Sequence, residues 1–273
     1  MFFQDSKRNI FYKTDDEIEL MRHSCLLVAQ THGVVAAHIK PGIKTKELDV
    51  VAETFIRDNK AEPSFKGYRG FPASLCISIN DQVVHGIPGD YELKEGDIVS
   101  VDCGVYANGF HGDSAYTYCL NGVQPEVLAL LEVTKRSLYK GIENAVAGKR
   151  VGDISFAIQQ MAESHHYSIV RELVGHGVGR NLHEAPEIPN YGKRGQGPKL
   201  LEGMVIAIEP MVNMGKKEIK SLSDDWTIVT IDGKPSAHFE HTVVVRKNKA
   251  EILSSFIFLE EAIKNNTELM QIH

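Results

Sequence analysis

The residues best suited to chemistry in this sequence are four carboxylates and one histidine that adjoin apolar or glycine-rich runs. They are Asp102, Asp113, Glu209, Glu240 and His176. Glu209 follows the apolar run VIAI and Glu240 precedes the run TVVV, so both are predicted at the ends of buried strands. An unpaired charge in such a place is costly. A site that collects these carboxylates therefore needs a cation or a bound proton.

Two of the carboxylates lie on a predicted β-hairpin. Asn108-Gly109 is the strongest short-range signal for a hairpin turn, and with these residues at its centre Asp113 pairs with Gly104. Asp102 then lies on the same face of the ribbon as a diagonal neighbour of Asp113, roughly 7–8 Å away. Gly104 is expected to leave room between them, and a slip of one residue would separate the pair.

The histidine and the carboxylates together form a donor set for metal ions. His176 lies in the stretch GHGVG, whose glycines allow close approach of backbone or substrate, and Arg180 stands where a dinucleotide fingerprint has its third glycine. One imidazole among carboxylates, with no thiolate, suits Mn, Fe(II), Co or Zn. Four carboxylates exceed the need of one ion, whereas two ions about 3.5–4 Å apart could share them.

The elements that must position these residues occur twice along the chain. Residues 15–60 predict two amphipathic helices with a break at Gly42 and with Thr45 as the N-cap of the second helix. Residues 124–165 repeat this plan, with the break at Gly148. This order indicates an internal duplication.

The duplication extends into the segments after the helices. Each helix pair precedes a His-x-x-Pro loop, which begins at His85 or His183, and then a glycine-led strand predicted to end on Asp102 or Glu209. A chance match of helix–strand alternation is the alternative, and the shared order of five features argues against it. We therefore predict an α+β fold in which helix pairs cover a curved antiparallel sheet and two halves share one cleft.

Composition excludes several classes of protein. The 273 residues carry a net charge of −6 and are 42% hydrophobic and 24% charged, which is typical of a soluble globular protein and not of a nucleic-acid-binding domain. The sequence has no signal-peptide core and no apolar run long enough to span a membrane. The four cysteines form no C-x-x-C pair, so a reducing, cytoplasmic location is expected.

The motifs as a set resemble those of type I methionine aminopeptidases. They are SINDQVVHGIP, VDCG followed by GFHGD, GHGVG-x-x-x-HE-x-P, IEPMV and FEHTVVV. The resemblance implies the pita-bread fold, a single catalytic domain over residues 10–252 made of two pseudo-symmetric halves (about 15–120 and 124–250), and terminal extensions at 1–9 and 253–273.

The resemblance also implies a dinuclear centre. Asp113 and Glu240 would bridge both ions, Asp102 would bind one ion, and His176 with Glu209 would bind the other. Two divalent ions per chain (Co, Mn, Fe(II) or Zn) are therefore expected.

The implied reaction is hydrolysis of the bond after the N-terminal methionine of nascent polypeptides, with a preference for a small second residue. Glu209 is expected to accept a proton from the attacking water. His85 would contact the peptide near the scissile nitrogen, and His183 would stabilise the carbonyl oxygen as it becomes anionic. The competing interpretation is that both histidines only brace their loops.

The resemblance further implies a methionine pocket of aromatic, sulfur and aliphatic side chains. These are Tyr68, Phe71, Cys76, Leu182 and Trp226, a set that suits a polarizable thioether. Leu182 replaces an aromatic residue found in many relatives, and Arg69 replaces a histidine found in some. The preference at the second residue stays open for this reason.

Spacing favours a short, bacterial-type enzyme. The intervals from His183 to Glu209 and on to Glu240 leave no room for the insertion of type II enzymes, and few residues precede the first helix. The alternatives are a proline-specific pita-bread peptidase, a non-catalytic peptide-binding relative and a metal-free hydrolase of the creatinase kind.

The expected partners are few. We expect a monomer that binds nascent peptides and neither membranes nor specific nucleic acids. Three lysines, Lys216, Lys217 and Lys220, either form a basic patch for transient contact with the ribosome or belong to a solvated loop.

Overall fold

The structure, a computed structural model, describes residues 9–273. Residues 1–8 of the predicted N-terminal extension lie outside the described residues. The predicted α+β class is confirmed, because each half begins with a helix pair and continues into short, mostly antiparallel strands. Within residues 9–273, no helix has the length and apolar character needed to cross a membrane.

The described residues form five α-helices and sixteen strands. The helices are α1 (Asp15–His38), α2 (Thr45–Asp58), α3 (Pro125–Ile142), α4 (Val151–Glu163) and α5 (Ile257–Asn265). The strands up to residue 120 are β1 (Glu62–Pro63), β2 (Leu75–Ile79), β3 (Gln82–Val84), β4 (Ile98–Ala107) and β5 (Phe110–Leu120). The later strands are β6 (Ser168–Ile169), β7 (Val174–Gly177), β8 (Glu184–Pro189), β9 (Val205–Ile208), β10 (Met211–Asn213), β11 (Ile219–Ser221), β12 (Ile228–Thr230), β13 (Ser236–His238), β14 (His241–Val244), β15 (Glu251–Ile252) and β16 (Leu269–Met270).

Two five-stranded sheets organise the halves. One has the order β1-β4-β5-β16, with β2 also paired to β4, and the other has the order β15-β14-β9-β7-β8. The smaller sheets are β13-β10-β6 and β11-β12-β3. The last of these joins strands from both halves.

A side-chain cap marks the start of α1, and the start of α2 differs from the prediction. Thr14 precedes α1, where its Oγ1 accepts the Glu17 N–H at 3.3 Å and Glu17 Oε2 accepts the Thr14 N–H at 3.0 Å. The prediction of Thr45 as an N-cap is wrong, because Lys44 precedes α2. The Thr45 hydroxyl instead exchanges hydrogen bonds with the backbone of Gly89.

The predicted duplication is present in the backbone. Gly42 and Gly148 follow the first helix of each pair and both have a positive φ, at +86° and +96°. Their N–H groups donate to the carbonyl oxygens of Leu93 and Leu200 at 2.7 and 2.9 Å. The two breaks between paired helices are therefore equivalent in conformation and in hydrogen bonding.

The predicted register of the β4–β5 hairpin is confirmed. Asn108 and Gly109 form the turn with φ of +53° and +83°, and Gly104 is the partner of Asp113. The prediction that Asp102 ends its strand is wrong, because β4 continues for five residues beyond it. Asp102 is thus held by neighbouring strands on both sides.

A seam of hydrogen bonds joins β5 to the segment before β14. The Thr117 hydroxyl donates to the His238 carbonyl at 2.8 Å, and Thr117 Oγ1 accepts the His238 N–H at 3.0 Å. Further along, the Glu240 N–H donates to the Ala115 carbonyl at 2.8 Å, and the Ser114 hydroxyl donates to the Glu240 carbonyl at 2.7 Å. One large apolar cluster, drawn from both halves, fills the space between the sheets and the helix pairs.

The segment 253–273, expected as an extension beyond the catalytic domain, packs against the first half. Helix α5 lies on α1, where Phe258 approaches so closely that a Cβ at Gly33 would lie 3.0 Å from its Cβ. Leu259 and Ile263 are buried, and β16 pairs with β5.

Candidate metal centre and substrate pocket

The five predicted ligands line one cleft between the halves. Asp113, His176 and Glu240 each present a donor atom, and these three atoms lie within 4.8 Å of one another. His176 Nε2 is 3.9 Å from Asp113 Oδ2 and 3.6 Å from Glu209 Oε1. Asp102 lines the same cleft. The structure therefore brings all five residues together, and their role as ligands stays a prediction.

Glycines on both sides of His176 allow its strand, β7, to pack between β9 and β8. A Cβ at Gly175 or Gly177 would collide with the carbonyl oxygen of Ala207 or Ala185, so only glycine allows these strands to pack. His176 Nδ1 lies 2.9 Å from the Gly177 carbonyl oxygen, to which it can donate. In the neutral ring Nε2 then keeps its lone pair, as a metal-ligating histidine requires.

Asp113 and Glu240 are buried and Asp102 and Glu209 are half-buried, and no lysine or arginine of residues 9–273 forms an ion pair with any of the four. Burial raises the pKa of Asp102 and of Glu209 to about 7. Burial, with repulsion from the neighbouring carboxylates, raises the pKa of Asp113 and of Glu240 well above their ordinary values. Asp102 Oδ1, Asp113 Oδ1 and Glu240 Oε1 have no hydrogen-bond partner within residues 9–273. Because such oxygens are costly to bury, the residues present fit divalent cations with oxygen-rich ligation.

The space beside Gly104 differs from the prediction. A Cβ at Gly104 would lie 2.8 Å from the Cβ of Ser64 and 2.8 Å from the ring of Phe65. The glycine therefore makes room for that loop and not for a gap between the two aspartates. This approach brings Phe65, which the sequence reasoning missed, into the lining of the cleft.

The predicted pocket residues form one apolar cluster next to the carboxylates. Tyr68, Phe71, Cys76, Leu182 and Trp226 belong to it, together with Phe65, Ala73 and Ile87. The rings of Phe71 and Trp226 meet edge to face with centroids 5.1 Å apart. Burial and neighbouring carboxylates raise the pKa of the Cys76 thiol, so the sulfur is a neutral lining group.

The two His-x-x-Pro histidines face this cleft from opposite halves. Burial lowers the pKa of His85 to about 4 and that of His183 to about 2, so both are neutral near pH 7. His85 has φ of +59°, which is uncommon for a residue with a side chain and concentrates at functional sites. His183 Nδ1 lies 2.9 Å from Tyr68 Oη, and the two rings stack.

Two further features were missed by the sequence reasoning. His238 is buried in the cleft with Nε2 3.4 Å from Glu209 Oε2. Its position two residues before Glu240, where alternate residues share a face, was an available signal. Lys13 and Glu184 form an ion pair at 2.5 Å with side chains 5% and 2% exposed, which supports the loop of His183. No local signal connects these two residues.

A fold of two pseudo-symmetric halves around buried carboxylates and imidazoles defines a metallopeptidase of the pita-bread class. The chain belongs to metallopeptidase family M24, whose family model matches residues 19–247.

Within this family, the chain is similar to methionine aminopeptidases. The chain is 54% identical over 245 residues to the methionine aminopeptidase of Clostridium perfringens, which covers 90% of this chain and 98% of that protein. Methionine aminopeptidase 1 of Bacillus subtilis is 53% identical over 245 residues, with 90% and 99% covered. The crystal structure of methionine aminopeptidase from Rickettsia prowazekii has a TM-score of 0.89 at 42% identity and covers 90% of this chain and all of that one (100%). These findings confirm the predicted resemblance and the pita-bread fold.

Proposed function

We propose that this protein removes the N-terminal methionine from nascent polypeptides with two divalent ions and prefers a small second residue. The observation that carries the proposal is a set of buried carboxylate oxygens that have no hydrogen-bond partner within residues 9–273 and lie beside an apolar pocket of aromatic and sulfur side chains. The relatives from Clostridium perfringens and Bacillus subtilis, both named methionine aminopeptidases, support this choice of substrate.

The ions, Co, Mn, Fe(II) or Zn, would be held by the five residues of the cleft. Asp113 and Glu240 would be shared by both ions, Asp102 would hold one, and His176 with Glu209 would hold the other. When bound, such ions lower the pKa of a water molecule and polarise a carbonyl group.

Glu209 is the proton acceptor in this proposal. It follows β9 directly, and its backbone carbonyl accepts a hydrogen bond from Asn190 Nδ2 at 2.9 Å. One carboxylate oxygen faces His176 and the other faces His238, so the group presents a fixed orientation to the cleft.

His183 supplies a hydrogen-bond donor for the scissile carbonyl oxygen. A Tyr68 hydroxyl that donates to His183 Nδ1 leaves the single imidazole proton on Nε2. A neutral N–H aimed at an oxygen that becomes anionic stabilises the transition state more than the ground state. His85, which is also neutral, would contact the peptide near the scissile nitrogen.

In this proposal the pocket holds the methionine side chain of the substrate, and an adjoining groove holds the residues that follow it. The thioether of methionine packs favourably on rings such as Phe71 and Trp226 and on the Cys76 sulfur. The cleft opens into a groove of about 850 Å³ with which it shares Arg69 and His183, and this groove has space for the chain that follows the methionine.

The test is metal-dependent release of methionine. The protein is stripped with a chelator, Mn, Co or Fe(II) is added stepwise, and Met-Ala-Ser is compared with Leu-Ala-Ser. We expect no release without metal, recovery with at least one ion, and little cleavage of the leucine peptide. Failure of every ion to support release would contradict the proposal and favour a non-catalytic peptide-binding protein. Release of methionine without metal would favour a creatinase-like hydrolase, and cleavage of a third peptide, Ala-Pro-Ser, in place of Met-Ala-Ser would favour a proline-specific relative.

The location and partners are the remaining part of the proposal. Four free, buried cysteines fit a reducing cytoplasm. The lysines at 216, 217 and 220 are exposed, as either a ribosome contact or a solvated loop requires. Ribosome binding is compared before and after charge reversal of the three lysines, and a loss of binding favours the ribosome contact over the solvated loop. The expected state in solution is a monomer.

A further inference from the structure

We propose that His238 is a positioning residue that fixes the Glu209 carboxylate by donating a hydrogen bond from Nε2. The inference rests on the proposed function, in which Glu209 must be oriented toward the water and the ions. His238 ends β13 and is 1% exposed, and its imidazole lines the cleft.

The two oxygens of Glu209 face two different imidazoles. Oε1 lies 3.6 Å from His176 Nε2, and Oε2 lies 3.4 Å from His238 Nε2. His176 uses Nδ1 to donate to the Gly177 carbonyl, which leaves Nε2 as an acceptor or ligand. His238 Nε2 has no hydrogen-bond partner at present distances within residues 9–273, although it is buried.

The surroundings of His238 determine which ring nitrogen carries the proton. Nε2 lies 3.4 Å from Glu209 Oε2, and Asp102 lines the same cleft, so a proton on Nε2 points toward acceptor oxygens. A lone pair on Nε2 would instead face these oxygens and be repelled. The neutral ring should therefore be the Nε2–H tautomer, the opposite assignment to His176.

The backbone of His238 is held independently of Glu209. Thr117 Oγ1 donates to its carbonyl oxygen at 2.8 Å and accepts its N–H at 3.0 Å, which attaches β13 to β5 in the other half. The imidazole therefore projects from a fixed strand. Loss of the ring should free the carboxylate without releasing the strand.

A direct role as a metal ligand is less consistent with the geometry. The donor atoms of Asp113, His176 and Glu240 lie within 4.8 Å of one another, and Glu209 approaches this group through Oε1, which is 3.6 Å from His176 Nε2. His238 Nε2 instead lies 3.4 Å from the other oxygen of Glu209, Oε2. This places His238 beside the ligand set and not within it.

The test uses three substitutions of His238 that differ in whether the new side chain has a hydrogen-bond donor, and in where that donor lies relative to the imidazole nitrogens. His238→Gln places an amide nitrogen close to the position of Nε2, His238→Asn places it near Nδ1, and His238→Leu fills the space without a donor. With saturating Mn²⁺ and Met-Ala-Ser, we expect the Leu and Asn variants to lose ~10–100-fold in kcat with KM within ~3-fold of wild type. The Gln variant should stay within ~3-fold of wild-type kcat.

Two further measurements do not depend on turnover. Calorimetric titration of the chelator-stripped protein should show Mn²⁺ binding ~10-fold weaker in the Leu variant and nearly unchanged in the Gln variant. In ¹⁵N-histidine correlation spectra of the metal-free protein, the signals lost in the Gln variant should be those of an Nε2–H ring. Thermal unfolding checks that each variant folds, and His238→Met serves if the Leu variant does not.

The proposal is overturned by wild-type kcat and Mn²⁺ affinity in the Leu variant, or by an Nδ1–H ring at position 238. Equal losses in the Gln and Leu variants would also overturn it, because the donor at the Nε2 position would then be irrelevant. A wild-type protein that releases no methionine with any ion would refute the proposed function, while the tautomer and the Mn²⁺ affinities would still decide the role of His238.

Discussion

The two halves of the molecule share a frame but contribute different parts of the site. The antiparallel bridge Lys44–Glu92 in the first half has its counterpart in Arg150–Lys199 in the second. In the first half a two-residue turn closes β4 and β5, and that one hairpin supplies both aspartates. In the second half, three separate strands place one histidine and two glutamates.

The difference arises between β9 and β14. There the chain leaves the sheet to form β10 to β13, and this excursion carries Trp226 and His238 into the cleft. Duplication therefore accounts for the helix pairs and the breaks between them, whereas the divergent connection of the second half completes the substrate pocket. Neither half holds a full set of predicted ligands, so activity depends on the seam between them.

The largest expected effect comes from removing one ligand of the hairpin. Asp102→Asn should weaken one ion and reduce kcat by ~10³ or more, because a bound metal supplies several kcal/mol of transition-state stabilisation. The fold should be retained, since an amide occupies nearly the same volume. Steady-state kinetics and circular dichroism test this, with the exposed Asp90→Asn of the same half as the control. Wild-type rates in the first variant would show that the ligand assignment is wrong.

Disruption of the buried ion pair that joins the segment before α1 to the second half should give the next largest effect, a loss of stability. Lys13 and Glu184 are nearly unexposed, so Lys13→Met or Glu184→Gln alone leaves an uncompensated group and should cost about 3–5 kcal/mol of unfolding free energy. The double variant should be much less destabilised than the sum of the two. The exposed pair Lys140–Glu143 is the matched control, for which less than about 1 kcal/mol is expected.

Denaturant unfolding of all four proteins of this cycle measures the coupling between the two residues. Additive losses would mean that the ion pair does not hold the loop of His183 to the segment before α1.

Sequence reasoning succeeded where one local signal determines the geometry. Asn108-Gly109 fixes a two-residue turn, and from that turn the pairing of Asp113 with Gly104 follows without tertiary information. The same turn also fixes the end of β4 at Ala107, so the expectation that Asp102 ends its strand, which rested on the match between the two glycine-led segments, disagrees with the hairpin. The Lys13–Glu184 contact joins residues 171 positions apart, and its formation depends on the packing of the whole second half.

A smaller effect, the pH dependence of the free energy of unfolding, tests the raised pKa of Asp102 in the first-half hairpin. Burial raises the pKa of Asp102 to about 7 in the folded, metal-free protein, against about 3.9 in an unfolded chain. As the pH rises from 4 to 7 the unfolded chain loses this proton first, so the folded state loses stability by up to about 1.4 kcal/mol per pH unit. Asp102→Asn lacks this titration.

Urea unfolding of both metal-free proteins in a chelator, from pH 4 to pH 8, measures the difference. The stability of the Asn variant relative to wild type should increase through this window and become constant above it. Buried histidines titrate in both proteins and largely cancel in the comparison. A difference that stays constant from pH 4 to pH 7 would contradict the raised pKa.

Alanine substitution of two equivalent glycines should show a difference between the halves that arises from packing alone. Gly96 and Gly203 have φ of +84° and +81°, so alanine costs about 1–2 kcal/mol at either position through backbone strain. A Cβ at Gly203 would also lie 2.6 Å from the Lys13 carbonyl oxygen, whereas at Gly96 the nearest atom, the Gly122 carbonyl oxygen, is 3.5 Å away. Gly203→Ala should therefore cost about 1–3 kcal/mol more than Gly96→Ala in denaturant unfolding. Equal costs would show that the segment of Lys13 moves aside without loss.

The smallest difference is expected where the halves match most closely. Gly42 and Gly148 both have positive φ, and a Cβ at either would meet no atom within 4 Å. Each alanine variant should lose about 1–2 kcal/mol from strain, partly offset by the lower entropy of the unfolded chain, so the two variants should agree within about 0.5 kcal/mol. Because they share no partners, the double variant should show the sum of the two losses. Unequal losses would mean that the matching hydrogen bonds to Leu93 and Leu200 differ in strength, and that divergence between the halves reaches the frame as well as the site.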